Sequence, residues 1–251
     1  MTTHRAPVPS LSAGERRLEG AIAHYLARVL RLRAGDTFVA FDPATGFEAD
    51  ATTVSAEGAA ILVRCSALRP GSRAHSPAAI MWIQGLAKGD KCDAIVRDAT
   101  ELGVTRIVVA VTRRSIVKLD RARRETRQAR WARVAQEAAR QCGRSDAPII
   151  DPPSPWADAL SLAHNAGARF CLWEQATVPL APGLFEALAK CSSLAFACGP
   201  EGGLEQGEAA LAESQGWSLV SLGALALRTE TVAAAVLGAV RVWSAMFERA
   251  L

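Results

Sequence analysis

Two glycine-bearing turns carry the residues of this chain whose types and spacing suit chemistry. The first, GPEGGLEQGE (199–208), follows the apolar run SLAFAC (193–198). Gly199, Gly202 and Gly203 put no Cβ between the backbone and a ligand, so amide and carbonyl groups can approach it closely. Pro200 stiffens the turn, and Glu201 places one carboxylate in it. The second, SLGALALRTET (221–231), again closes a strand-like run. Gly223 opens the turn, and Leu222, Leu225 and Leu227 offer an apolar wall. Arg228-Thr229-Glu230-Thr231 then sets a cation, a carboxylate and two hydroxyls at the start of a helix. Thr229 or Thr231 suits the N-cap of that helix. Capping leaves Arg228 unexplained, because the positive end of a helix dipole disfavours a cation. An anionic partner would hold it there. Neither turn is a phosphate cradle, since the chain has no GxxxxGK[ST] loop and no GxGxxG fingerprint.

The elements that must position these turns alternate in kind. IMWIQGL (80–86), RIVVAV (106–111), RFCLWE (169–174), SLAFAC (193–198) and SLVSLG (218–223) read as strands. Between them, residues 88–103, 121–142, 182–190 and 205–216 read as helices, and a last helix covers 229–247. Such alternation implies a mostly parallel sheet with helices on both faces, whose ligands sit beyond the carboxyl ends of the strands. Both glycine turns fall at such ends. The long helix 121–142 shows an inward stripe of Trp131, Val134, Ala135, Ala138 and Cys142 at helical spacing. Residues 1–75 differ: TFVAF (37–41), FEADATTV (47–54) and AAILVRC (59–65) are strand-like, after a helix-like stretch that reaches Gly35. SALRPGSRAHSPAA (66–79) lacks apolar periodicity and reads as a linker.

Composition narrows the class further. The 251 residues are half hydrophobic, enough for one large domain or two smaller ones. VAAAVLGAV (232–240) is about half the length that a bilayer requires, and MTTHRAPVPS has no hydrophobic leader segment. A soluble cytoplasmic protein is expected. The six cysteines form no CxxC and no His sits at a metal partner's spacing, so free thiols and no metal are expected. The net charge of +4 hides an asymmetry. Arg113 to Arg133 holds nine basic and two acidic residues, whereas Asp151 to the end holds five basic and ten acidic ones. Charge segregated in this way suits one surface facing a polyanion.

GPEGGLEQGE followed by SLGALALRTETVAAA resembles the motifs of the SPOUT methyltransferases. The resemblance is to the RsmE type, the 16S ribosomal RNA uridine N3-methyltransferases. KGDKCDAIVRDATELGV (88–104), RWARVAQEAARQCGRSDAP (130–148) and HYLARVLRLRAGD (24–36) extend it over nearly the whole chain. The resemblance implies an α/β fold with a C-terminal trefoil knot at residues 73–251, preceded by a PUA-like β-barrel at 1–72 that binds RNA. It also implies a homodimer. Its cofactor would be S-adenosylmethionine and its partner small-subunit ribosomal RNA, with no metal and no membrane. One position departs from the pattern: Leu225 stands where the family commonly has Arg.

Carried onto this chain, the cofactor loops are Gly199, Pro200, Glu201, Gly202 and Gly203, then Leu222, Gly223, Leu225, Leu227, Arg228, Thr229 and Thr231. Leu172 and Cys198 join them at strand ends. Leu204 would add to the apolar flank. Transfer to uracil N3 requires loss of its proton, for which Glu230 and Glu201 are the candidate bases. Arg228 or Arg144 would stabilise the forming anion. RNA phosphates would meet Arg28, Arg31 and Arg33, then Arg113, Arg114, Lys118, Arg124, Arg127, Arg130 and Arg144. Two alternatives stay open: an RNA-binding protein of this fold without transfer activity, and a methyltransferase for ribose 2′-hydroxyls of tRNA or rRNA.

Overall fold

The computed structural model describes residues 4–57, 60–71, 78–115 and 120–247. The chain divides into two compact units, Met1–Arg73 with Ala139–Ala147, and Ala74–Ala138 with Pro148–Leu251.

The first unit opens with β1 (Arg5–Pro7), β2 (Gly14–Glu19) and the short helix α1 (Gly20–His24), which runs on as one π-helical turn, Tyr25–Val29. Then come β3 (Thr37–Phe41), β4 (Phe47–Glu57), β5 (Ala60–Cys65) and β6 (Arg69–Pro70). The helix stops short of Gly35, the end expected from sequence. Arg31 takes a left-handed φ of 55°, and the amide of buried Leu32 turns back to the Leu26 carbonyl at 3.0 Å. A left-handed residue past the last turn is a common helix stop. The sheet order is β1-β3-β4-β5-β2, with β6 on β4. Only the β1–β3 ladder is parallel, and β4 carries an irregularity between Thr53 and Ser55. Among the described residues no ladder joins β1 to β2, so hydrogen bonding does not close this sheet into a complete barrel. Leu26, Phe38, Ile61 and Val63 form its core.

Residues 139–147 complete this unit. The Arg140 guanidinium lies 4.6 Å from the centre of the Tyr25 ring. Ser145 Oγ donates to Glu48 Oε2 at 2.8 Å and accepts from Arg5 Nη2 at 2.8 Å. A Cβ on Gly71 would lie 2.1 Å from that hydroxyl oxygen, so glycine is what lets the two segments meet.

The second unit contains β7 (Ala79–Gly85), α2 (Lys91–Glu101), β8 (Arg106–Val111), most of α3 (Arg121–Cys142), β9 (Ile149–Ile150), β10 (Ser154–Pro155) and α4 (Trp156–Ser161). It continues with β11 (Ala168–Leu172), α5 (Leu180–Lys190), β12 (Ser193–Cys198), α6 (Gln206–Ser214), β13 (Ser218–Val220) and α7 (Thr229–Phe247). Its sheet runs β10-β8-β7-β12-β11-β13, with β9 on β8, and every ladder is parallel. The two-residue period of the strands sorts side chains to two faces. Trp82, Val109, Phe170 and Phe196 pack against Ile95, Trp131, Leu184, Val236 and Leu237 from α2, α3, α5 and α7. Ile83, Val108, Cys171 and Ala195 pack against Trp156 and Leu160 of α4, Ala212 of α6 and Trp217. In α3, Trp131, Ala135 and Ala138 are buried as their spacing implied. Cys142 is exposed, and Ala139 is the buried residue of that turn.

All six cysteines are unbridged. Among the described residues there is no cluster suited to a metal, and no helix is long and apolar enough to cross a membrane.

Candidate functional site

The carboxyl ends of three neighbouring parallel strands meet in one place. Leu172 at the end of β11 is the register partner of Cys198 at the end of β12 and of Val220 at the end of β13. Beyond these ends lies a cavity of about 370 Å³, lined by residues 172–174, 198–203, 220–229 and 232. That volume lies within the ordinary range for small-molecule sites.

The backbone of the 199–203 turn is tightly constrained. Its amide–carbonyl closure runs from Gly203 N to Pro200 O at 2.9 Å. Gly203 adopts a φ of +71°, and a Cβ there would fall 2.2 Å from Oε1 of Glu174. Gly85, at the end of β7, comes so close to this turn that a Cβ would lie 2.5 Å from Pro200 N and 2.7 Å from Gly199 C. Between the two turns stands Gln84. Its Nε2 has three acceptors in range, Gly85 O (3.0 Å), Gly199 O (3.1 Å) and Thr229 Oγ1 (2.8 Å), while Trp82 Nε1 donates to its Oε1 (3.1 Å). The Thr229 hydroxyl in turn donates to Gly199 O at 2.9 Å. Thr229 is therefore buried and occupied, and it does not cap α7 as its position suggested. The Arg228 carbonyl takes the first helical bond, from Val232 N.

The charged groups have distinct settings. Glu201 Oε1 accepts from the Lys88 amide and from Lys91 Nζ, each at 3.0 Å. Burial raises its pKa, but its own backbone N–H together with Lys91 and Lys88 outweighs that, and the net shift is downward. A carboxylate so held is a poor proton acceptor; it anchors the turn to the start of α2. Arg114 Nη1 donates to Gly202 O at 2.6 Å, tying down the same turn. Arg228 lines the cavity and is exposed. Glu230 follows it, half-buried, with a buried Oε2 that has no hydrogen-bond partner among the described residues. Burial pushes the Cys198 thiol up to about 12, so it remains a neutral wall group.

The structure brings together Leu172, Cys198, the whole 199–203 turn, Leu222, Gly223, Leu225, Leu227, Arg228 and Thr229. Thr231 and Glu230 stand outside the lining, in the first turn of α7, and Leu204 is buried beneath it. Trp173, Glu174 and Val232 join the lining unforeseen, as do Val220, Ser221, Ala224 and Ala226 around the second turn, and Gln84 supports it from below. No sequence pattern marks Trp173, Glu174, Val232 or Gln84; parallel register brings in Gln84, Trp173 and Glu174 at or just past strand ends, and the first turn of α7 brings in Val232. S-adenosylmethionine fits this set. Leu222, Leu225 and Leu227 remain 38%, 81% and 40% exposed, an uncovered apolar wall for the donor's carbon framework. The N–H groups of Ala224 to Leu227 have no protein acceptor among the described residues, and Glu174 adds a carboxylate for polar edges.

The proposed RNA contacts are dispersed. Arg28, Arg31 and Arg33 are exposed in the first unit. In the second, Arg114 bonds the 199–203 turn, Arg113 lies beside Glu205 and Glu208 at the start of α6, and Arg124 and Arg127 are half-buried on α3. Arg130 donates to Asp93 Oδ2 at 2.7 Å yet keeps 59% of its side chain exposed. Arg144 is 5% exposed, with its guanidinium on Asp146 at 3.1 Å, which turns it inward in the first unit. Lys118 lies outside the described residues.

A family model described as an RNA methyltransferase domain matches residues 74–241, and one described as an RNA methyltransferase PUA domain matches residues 18–58. Ribosomal RNA small subunit methyltransferase E of Bacillus subtilis is 28% identical over 89% of this chain and 88% of its own. The Synechocystis protein of the same name is 30% identical over 85% of this chain and 68% of its own. A crystal structure of ribosomal RNA small subunit methyltransferase E from Neisseria gonorrhoeae bound to S-adenosyl methionine superposes with a TM-score of 0.84 at 27% identity. The match covers 96% of this chain and 98% of that one. Fold, cavity and sequence agree: the chain belongs to the RNA methyltransferase domain family, with the PUA domain of that family at its N-terminal end.

Proposed function

We propose that this protein transfers a methyl group from S-adenosylmethionine to N3 of a uridine in small-subunit ribosomal RNA. The observation that carries the reading is the convergence of both glycine turns on one cavity at the ends of β11, β12 and β13. The names of the Bacillus and Synechocystis relatives support the rRNA target.

When bound, S-adenosylmethionine supplies an electrophilic methyl whose bond to sulfur breaks with the electron pair staying on sulfur. The chain's own residues do the rest. The 199–203 backbone and the wall of Leu222, Leu225 and Leu227 orient the donor and exclude water. Glu230, one residue beyond the lining residue Thr229, takes the N3 proton once its side chain turns toward the cavity; its Oε2 has no hydrogen-bond partner among the described residues, whereas Glu201 is held by Lys88 and Lys91. Arg228, exposed on the cavity wall, stabilises the negative charge that develops on the uracil oxygens. Arg28, Arg31 and Arg33 with Arg113, Arg114, Arg124, Arg127 and Arg130 hold RNA phosphates, which position the base without reading it. In this reading residues 1–72 act as the RNA-binding domain, and the enzyme works in the cytoplasm, where ribosomal subunits form.

Two further features belong to the proposal. One is a trefoil knot within residues 73–251, which the likeness to ribosomal RNA small subunit methyltransferase E from Neisseria gonorrhoeae supports. Val242 (68% exposed) and Met246 (62% exposed) on α7 support a homodimer that covers them; sedimentation at micromolar concentration tests it. The reaction is tested by incubating unmodified small ribosomal subunits with the protein and S-adenosylmethionine, then analysing nucleosides by mass spectrometry. N3-methyluridine is expected. A 2′-O-methyl nucleoside, or binding of RNA with no transfer, overturns the reading.

A further inference from the structure

Gln84 lies outside the cavity lining and 1% exposed, yet every polar atom of its side chain is engaged. Its Nε2 has two hydrogens and three acceptors in range: Gly85 O at the end of β7, Gly199 O at the start of the first turn, and Thr229 Oγ1 at the start of α7. Thr229 relieves the excess by donating its own hydroxyl hydrogen to Gly199 O. The Trp82 indole N–H can only donate, so it requires oxygen at the other side of the amide and fixes which way Gln84 points. The result is a largely buried network of one amide, one hydroxyl and two backbone carbonyls that joins β7, β12 and α7, with the Cys198 Sγ 3.6 Å from the Thr229 hydroxyl. A hydrocarbon side chain of the same length would leave Gly199 O and the Thr229 hydroxyl with one partner fewer.

We propose that Gln84 is a positioning residue for the methyl-donor site. It holds the 199–203 turn and the first turn of α7 at the one separation that makes them walls of the same cavity. This rests on the methyltransferase reading of that cavity. Gln84 itself touches no ligand; it acts through Gly199 and Thr229, which line the cavity. By the same link it sets where Arg228 and Glu230, the neighbours of Thr229, stand.

Calorimetric titration with S-adenosylmethionine and with S-adenosylhomocysteine tests the proposal in the wild type and in Gln84→Met, Gln84→Glu, Thr229→Val and the Gln84→Met/Thr229→Val pair. Thermal melting establishes which variants are folded. Gln84→Met should weaken both ligands about tenfold or more, the loss expected when a buried hydrogen-bonding partner is removed. The double variant should be little worse than Gln84→Met alone, because both changes break one network. Gln84→Glu carries a signature that generic loss of packing would not. An ionised carboxylate turned toward Gly85 O and Gly199 O repels both, whereas a protonated one donates to one of them. Burial raises the pKa of such a carboxyl. Its affinity should therefore rise as pH falls from about 8 to about 6, with the wild type nearly flat. Wild-type affinity in folded Gln84→Met, or additive losses in the pair, overturns the proposal. If Gln84→Met does not fold, a pH-independent affinity of Gln84→Glu overturns it alone. Failure of the wild type to bind either ligand would instead sink the functional reading.

Discussion

Glu201 and Glu230 are the candidate bases, and their surroundings differ. Glu201 is bonded to the Lys88 amide and Lys91, while Glu230 keeps a buried oxygen with no hydrogen-bond partner among the described residues. Glu230→Gln should lower single-turnover methyl transfer about 100-fold, the usual share of a general base, with donor affinity unchanged in calorimetry. An unchanged rate would remove Glu230 from the proton transfer. Gly85 is as telling. A Cβ there meets backbone atoms of Gly199 and Pro200, which cannot swing aside as a side chain can. Gly85→Ala should cost at least the ~1–3 kcal/mol typical of overpacking, seen as a lowered melting temperature and loss of donor binding. The turn residues themselves were legible in the sequence, because Gly, Pro and an RTET run are uncommon enough together to mark a site. Gln84, Trp173 and Glu174 were not, since nothing local distinguishes them. They matter only because parallel register delivers β7, β11 and β12 to the same edge.

Among the elements, α3 and α7 were readable end to end, since their apolar residues recur at helical spacing over many turns. The 3.6-residue period failed at the N-terminal helix, where the turn widens to π geometry and Arg31 ends it. It also gave no sign of β2, whose GERRLE buries only Leu18. The two-residue β10 contains Pro155, a residue that reads as loop but is tolerated at a sheet edge. The same helix α3 that reads so clearly carries the test of RNA binding. Replacing Arg124, Arg127 and Arg130 together by Ala should weaken RNA binding and flatten its salt dependence, by about 0.7 to 0.9 in logarithmic slope for each phosphate no longer neutralised. Binding measured across a salt series checks this, and an unchanged slope would make that side of α3 a solvated face. Because Arg130 also bonds Asp93, which accepts from Trp131 Nε1 at 3.0 Å, part of any weakening in the triple variant is structural. Asp93→Asn separates the two contributions.

On the scale of the whole molecule, the first unit depends on a carboxylate. Burial pushes Glu48 upward, but Arg5, Ser145 and Arg69 together outweigh it and hold its pKa below the ordinary 4.5. A carboxylate depressed in the folded state stabilises that state above its unfolded pKa and ceases to do so as pH falls through the folded value. Stability should therefore decline below about pH 4.5, and Glu48→Gln should blunt that decline while lowering stability at neutral pH. Melting curves recorded from neutral to acidic pH check both signs.

Ser145, one of the partners of Glu48, belongs to a stretch that the ribosome makes late. The opening sheet of the protein must wait for it while β7, α2, β8 and α3 emerge, so synthesis in order does not mean completion in order. Nascent chains arrested before residue 139 should expose the Arg5–Glu48 region to protease, and chains released past residue 147 should shield it.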